Sequence, residues 1–433
     1  MSSIWSHTSE RPQFESLQGN IKTGVLIIGG GLAGILCAHM LKLAGVDYAL
    51  VEAGRICSGI TKNTTAKVTF QHGLIFDKLI NTFGVERARA YLEINRLALG
   101  HYRKLCRDIE CDFEEQSSFV YSLNDRKKIE KETAALKRLG CDAQFADSLP
   151  LPFPVAGAVR VDGQAQFHPL KFAYSIAKDL RIYENTKVLE LTPKGALTDR
   201  GKILAEKVIV ATHFPMLNKH GGYFLKLYQD RSYVIALKNA ADVGGMYIDE
   251  SGTGLSFRNY GGMLLLGGGG HRTGKSGGGW KALETAAKRY YPGSEAVCRW
   301  ATQDCMTLDG VPYIGRYSKN TPDLYVAAGF NKWGMTSSMV SARLLTDAVL
   351  GRKNDYAKVF SPSRSILHPQ LALNAFESAV GLLTPTVPRC PHLGCALKYN
   401  KQEHSWDCPC HGSRFQKNGQ LIDGPATDDK HIR

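Results

Sequence analysis

The sequence predicts an α/β protein with a second, mixed α+β region and a compact cysteine-rich module near its C-terminal end. Three observations carry that reading. An apolar run at residues 25–28 meets three consecutive glycines and then a helical periodicity over residues 32–43. Residues 222–266 alternate polar and apolar side chains in the manner of an antiparallel sheet. Four of the 11 cysteines, Cys390, Cys395, Cys408 and Cys410, fall within a stretch of 21 residues, which marks a site.

In chain order, YALV (48–51) is a second strand that ends on Glu52 and completes a βαβ unit. Residues 76–145 are charged and largely helical, and the prolines of LPLPFPVAG (149–157) close that region. KFAYSIAKDL then reads as a helix, and TKVLELTP and EKVIVAT as strands. SYVIALK and GGMLLLGG are the clearest antiparallel strands, and WKALETAAKRYYP is a helix. Residues 323–351 read as strand, glycine-rich turn and long helix, and 353–385 as a connector containing Pro362, Pro369 and Pro385.

A chain of 433 residues with 43% hydrophobic and 22% charged side chains is globular and has room for two or three domains. The net charge of +14 permits nucleic acid, a membrane surface or an acidic redox partner. No basic tail or Arg/aromatic pattern accompanies it, so no nucleic-acid partner is expected. The polar N-terminus has no secretory h-region. Residues 25–43 are interrupted by glycines, His39 and Lys42, which argues against a transmembrane segment. A cytoplasmic location is the expectation, and the seven scattered cysteines are expected as reduced thiols.

Gly29, Gly31 and Gly34 form G-x-G-x-x-G directly after a strand and at the start of a helix. Gly29 allows the tight turn, Gly31 lets the backbone approach a pyrophosphate, and Gly34 lets helix and strand pack closely. The helix N-terminus offers free N–H groups to the phosphates. Glu52 is placed for ribose hydroxyls, and its charge would repel a 2′-phosphate. The motif indicates a dinucleotide without separating FAD from NAD. A second glycine-rich stretch, residues 269–276, matches G-x-x-x-x-G-K-S. Gly277, Gly278 and Gly279 follow where a P-loop helix should start, each costing about 1 kcal/mol there. A mobile loop with His271 and Arg272 near the ligand is the better expectation.

At the C-terminal end, Cys390-Pro391-His392 and Cys408-Pro409-Cys410-His411 flank 15 residues. Two thiolates and two imidazoles on paired loops suit Zn2+ or a mixed-ligand iron–sulfur cluster. His404 lies outside this pattern and reads as a surface residue.

Residues 22–350 resemble the FAD-dependent oxidoreductases of the D-amino-acid oxidase type. The resemblance rests on residues 29–52, VIVATHFP (208–215), DGVPYIGR (309–316) and LYVAAGFNKWGMT (324–336). It implies a Rossmann-like FAD domain over 22–75, 156–215 and 301–352, with an α+β substrate domain over 76–155 and 216–300. It also implies which residues hold non-covalent FAD. Gly29, Gly31, Gly34 and Glu52 form the dinucleotide turn, and Ser58, Thr61, Thr64 and Thr65 lie in a loop beneath the flavin. Val188 packs at the adenine end, and Ala211 and Thr212 follow the VIVAT strand. Gly329, Trp333, Gly334, Met335 and Thr336 surround the ring. Cys305 as a covalent anchor fits poorly, given its spacing from Asp309.

The cysteine–histidine pattern resembles that of Rieske proteins and implies a small all-β module over 386–433. By that resemblance, a [2Fe-2S] cluster has one iron on Cys390 and Cys408 and the other on His392 and His411. Cys395 and Cys410 form a disulfide, Ser413 bonds a bridging sulfide, and Gly424-Pro425-Ala426 is the proline loop. Phe415 replaces a tyrosine of high-potential members, which implies a lower potential. The module is short and is expected to lean on the flavoprotein for cover.

Together these imply a FAD-dependent oxidoreductase that oxidises a small amine or amino-acid-like substrate and passes electrons from flavin to cluster. An external electron acceptor or donor protein is then a partner. The alternative is a non-catalytic protein that relays electrons between partners. His271, Arg272, Tyr233 and Arg231 are the candidate catalytic residues.

Overall fold

The computed structural model of the chain describes residues 2–216, 220–385 and 388–429. The module boundary expected at 386 and the last four residues of the chain lie outside the described residues.

An eight-stranded sheet follows the spatial order Tyr313–Arg316, Leu324–Ala328, Gly201–Val210, Ile21–Ile28, Tyr48–Val51, Ile182–Tyr183. The hairpin Val188–Thr192/Gly195–Thr198 extends from Gly201–Val210. The strands from Leu324–Ala328 to Ile182–Tyr183 are parallel. Such strands are covered on both faces, so residues 25–28 form an unbroken buried run. The helices Leu32–Leu43 and Gly334–Val349 share the resulting core through Ile35, Leu36, Met339 and Val340. Ile21–Ile28 sits centrally, between Gly201–Val210 and Tyr48–Val51, and the chain leaves it at Gly29. That is the carboxyl end of the strands, where open α/β sheets bind ligands.

A nine-stranded, mainly antiparallel sheet has Glu295–Thr307, Leu227–Lys238 and Met263–Arg272 at one end. Glu114–Ser122, Gly157–Gln166 and Lys67–Val68 lie at the other. The last two strands fall within segments the sequence groups with the nucleotide domain. They hydrogen-bond here because Val159, Val161 and Ala165 bury into the core on the side where helix Arg126–Arg138 packs. Met263–Arg272 runs as strand through His271 and Arg272, which corrects the expected mobile loop.

The C-terminal module is a four-stranded antiparallel meander of Lys398–Asn400, Ser405–Asp407, Arg414–Gln416 and Leu421–Asp423. The stretch expected as a connector contains a helix, Pro369–Leu383. Proline at a helix start has no N–H to waste, and His368 accepts the N–H of Gln370, so Pro369 opens the helix. Gly381 on this helix faces the Cys395–Cys410 sulfurs, and a Cβ there would lie 2.6 Å from Cys410 Sγ. Arg364 ties the stretch down through a buried ion pair with Asp309. No helix among the described residues is long and apolar enough to cross a membrane.

Candidate active site and cluster centre

A cavity of about 910 Å³ opens at the carboxyl ends of the parallel strands and extends under the antiparallel sheet. This is large for a ligand site, where about 300–1,000 Å³ is usual. Of the residues expected to hold the cofactor, all but Gly34, Gly329 and Thr336 line it. Those three act from behind. A Cβ on Gly34 would overlap the Gly29 carbonyl, and Gly329 has φ +71° with Thr307 against it. Thr336 hydrogen-bonds His72 Nε2 at 2.9 Å, and His72 stacks on Trp333 at 4.9 Å. His72 lines the cavity, and burial holds it neutral, pushed down to about 3.

The glycines divide by role. Gly29 has φ +111°, and a Cβ there would sit 2.6 Å from the Ala211 carbonyl oxygen, so the fold itself requires glycine. A Cβ on Gly31 would meet only Thr61 Oγ1, at 3.5 Å. Nothing in the protein excludes a side chain there, and the space it would enter belongs to the cavity. Glu52 accepts the N–H groups of Gly30 at 2.7 Å and Gly54 at 2.9 Å, which fixes its carboxylate at the cavity edge. These features fit a bound dinucleotide.

In the C-terminal module, Cys390 and Cys408 are buried and their thiols hydrogen-bond each other. That contact, helped by Ser413 and the N–H groups of His392 and Leu393, draws Cys390 down to about 7 against burial. The sulfurs of Cys395, Cys408 and Cys410 lie within 4.8 Å of one another. Two of them form the Cys395–Cys410 disulfide, which leaves Cys408 for a metal. The His392 and His411 rings stand 5.0 Å apart and nearly perpendicular. Burial pushes them down to about 4 and about 3, so both stay neutral, as metal ligands must be. Both ring nitrogens of His411 are buried without a hydrogen-bond partner, an arrangement an iron ligand would satisfy.

The two sites share a wall. Residues 424–427 of the module line the nucleotide cavity. Gln229 Nε2 donates to the carbonyls of His411 (2.8 Å) and Gly424 (3.0 Å), and Gln303 Nε2 donates to that of Gly412 (2.9 Å). His213 lines the cavity, and the ring of the next residue, Phe214, lies 6.4 Å from those of both His392 and His411.

Of the four candidate catalytic residues, Arg231, His271 and Arg272 do not line the cavity, and Tyr233 does. Arg231 pairs with Glu403 of the module, and Arg272 donates to the carbonyls of Pro409 and Cys410. Tyr233 does line the cavity, but its hydroxyl contacts His271 Nε2 at 2.9 Å and Glu403 at 3.0 Å. Strand alternation explains the misplacement: Asp230 and Ser232 line the cavity, and Arg231 between them turns toward the module. Cys305 is buried outside the cavity, and burial pushes its thiol up, so it offers no covalent anchor. Sequence reasoning missed Asp230, Asp304 and Lys332 in the cavity. The signal for Thr302, Asp304 and Met306 was their period-two spacing on one strand. For Glu403 there was none.

Residues 24–348 match the family described as FAD dependent oxidoreductase. The chain belongs to that family. Residues 367–432 match the Rieske [2Fe-2S] domain, beginning upstream of the expected module boundary and taking in the helix Pro369–Leu383. The protein is therefore a FAD-dependent oxidoreductase whose cofactors are FAD and a Rieske [2Fe-2S] cluster. The Rieske 2Fe-2S iron-sulfur protein YhfW of Bacillus subtilis is 34% identical, covering 98% of this chain and 95% of its own length. Gamma-glutamylputrescine oxidoreductase of Escherichia coli is 24% identical over 78% of this chain and 86% of its own. Glycine oxidase from Geobacillus kaustophilus superposes with a TM-score of 0.67 at 21% identity, covering 80% of this chain and 99% of its own.

Proposed function

We propose that this oxidoreductase oxidises a small amine or amino-acid-like compound and sends the electrons out through its own Rieske domain to an external acceptor protein. The observation that carries the proposal is the shared wall: residues 424–427 close the flavin cavity, and His213 and Phe214 lead from it to His392 and His411. When bound, FAD supplies a two-electron hydride acceptor and the cluster a one-electron carrier.

The residues of the chain prepare both places. Gly29 and Gly31 hold the backbone open for the pyrophosphate, and Glu52 takes ribose hydroxyls. Trp333, locked by His72, fixes the wall beside the ring. The rings of Phe214 and Phe224 each lie 6.4 Å from that of His411, on the histidine side of the cluster. The amine class is supported by two proteins it resembles, whose names are gamma-glutamylputrescine oxidoreductase and glycine oxidase.

The experiment is an anaerobic screen of amines and amino acids for bleaching of the oxidised flavin spectrum. At least one class should bleach it. A flavin that no such compound reduces, but that a partner protein does, would replace catalysis with relay.

A further inference from the structure

We infer that the cavity recognises a cationic amine lacking a carboxylate, through Asp230, Asp304 and Thr302. This rests on the proposal above that the chain oxidises an amine.

The strands Leu227–Lys238 and Glu295–Thr307 pair in a register that sets Asp230 directly opposite Asp304. Like charges in that position destabilise a sheet. Both line the cavity and face the same space. Lys332 is the nearby cation, with Nζ 3.9 Å from the Asp230 carboxylate. One lysine faces two carboxylates, and Asp304 itself makes no hydrogen bond or ion pair among the described residues.

A second observation points to the same place. Thr302 stands two residues from Asp304 on the same strand, lines the cavity and is 9% exposed. Its hydroxyl oxygen is buried and has no hydrogen-bond partner. An unpaired hydroxyl oxygen beside two carboxylates served by one lysine favours a cation in that space, whose charge offsets the carboxylates and attracts the oxygen.

A carboxylate finds no uncommitted arginine among the described residues of the cavity wall. Arg231 is committed to Glu403, and Arg258 donates to the carbonyls of Thr65 and Ala66. Neither of these arginines lines the cavity; of the cations that do, Arg55 pairs with Glu184, Lys187 bonds the Thr427 carbonyl, Lys67 contacts Thr65 Oγ1 at 3.5 Å and Lys332 faces Asp230. Of the remaining acidic side chains lining it, Glu250 pairs with Lys128 and Asp423 with Arg414, while Asp249 and Glu52 accept backbone N–H groups. The Asp230–Asp304 pair is where two carboxylates of the cavity lie directly opposite each other with a single lysine nearby. An amino acid bound with its ammonium there would bring its carboxylate close to the same charges.

The test uses holoenzyme at constant ionic strength. Tetramethylammonium or acetate is titrated while the visible flavin spectrum is followed, and n-butylamine and norvaline are compared as reductants. Tetramethylammonium should perturb the spectrum saturably, and acetate should not. Asp304→Asn should weaken tetramethylammonium binding about tenfold or more, while Asp304→Glu retains most of it. Butylamine should reduce the flavin faster than norvaline. Saturable acetate binding, or unchanged tetramethylammonium affinity in both Asp304→Asn and Asp230→Asn, would overturn the inference. If the cation binds as expected but no amine bleaches the flavin, the recognition site stands and the amine-oxidation proposal fails.

Discussion

Arg231 of the antiparallel sheet and Glu403 of the Rieske domain form an ion pair in which the side chains are 2% and 9% exposed. Glu403 also receives Arg414 at 2.7 Å and the Tyr233 hydroxyl at 3.0 Å. Burial works against its charge, but Arg231 and Arg414 together hold its carboxyl below the ordinary 4.5. The pair pins the module against the wall of the flavin cavity.

Glu403→Ala would leave two buried guanidinium groups without that partner, a loss of about 3–5 kcal/mol. Calorimetry should then resolve an earlier transition for the C-terminal domain, and a single unshifted transition would contradict the account. Because the carboxyl is depressed, its contribution is present above 4.5 and is lost as pH falls through its lower folded value. Wild-type docking should therefore weaken only in acid.

Gly31→Val should abolish FAD binding while leaving the fold intact, since the nearest protein atom to a Cβ there is Thr61 Oγ1 at 3.5 Å. The check is flavin content alongside circular dichroism. Full FAD recovery in the variant would contradict the pyrophosphate assignment, and FAD that stays with acid-precipitated wild-type protein would contradict non-covalent binding.

Cys390→Ser should empty the cluster site, whereas Cys395→Ser should leave iron and sulfide bound in a less stable domain. The disulfide spans a sequence separation of 15, and closing a loop of that length stabilises by about 3 kcal/mol. Equal loss of iron in both variants would require a different ligand set. Zinc in place of iron and sulfide in anaerobically prepared protein would reject the cluster.

Asp304→Asn should stabilise the protein at alkaline pH. Burial, reinforced by Asp230, raises its carboxyl to about 6 despite Lys332 and Arg231. A raised group contributes stability below its ordinary 3.8 that is lost as pH rises through about 6. The variant escapes that loss, so its melting temperature should exceed wild type at pH 8, by the equivalent of on the order of 2 kcal/mol. The gain should shrink toward pH 5. A gain independent of pH would contradict the assignment. By the same sign, tetramethylammonium binding to wild type should strengthen as pH rises through about 6.

The nucleotide unit was legible because its information is local: a strand, three glycines and Glu52 lie within one βαβ segment. The cluster ligands were legible for the same reason, since two loops carry all four. The junction was not. Arg231 and Glu403 lie 172 residues apart, and nothing in either local sequence signals the other. The face on which Tyr233 and Arg231 lie depends on strand register, and the pairing of Leu227–Lys238 with Met263–Arg272 is irregular between those two residues. Pro369 reads as a breaker when proline alone is considered. With His368 as its cap it opens a helix.

Flavin-to-cluster transfer within one molecule is tested most directly by reducing the flavin anaerobically, with substrate or light, and freezing samples for low-temperature EPR. The account predicts that the signal of the reduced cluster appears as the flavin passes on its electrons, with a rate independent of protein concentration. A cluster that stays oxidised beside a fully reduced flavin, or a rate that scales with protein concentration, would contradict it.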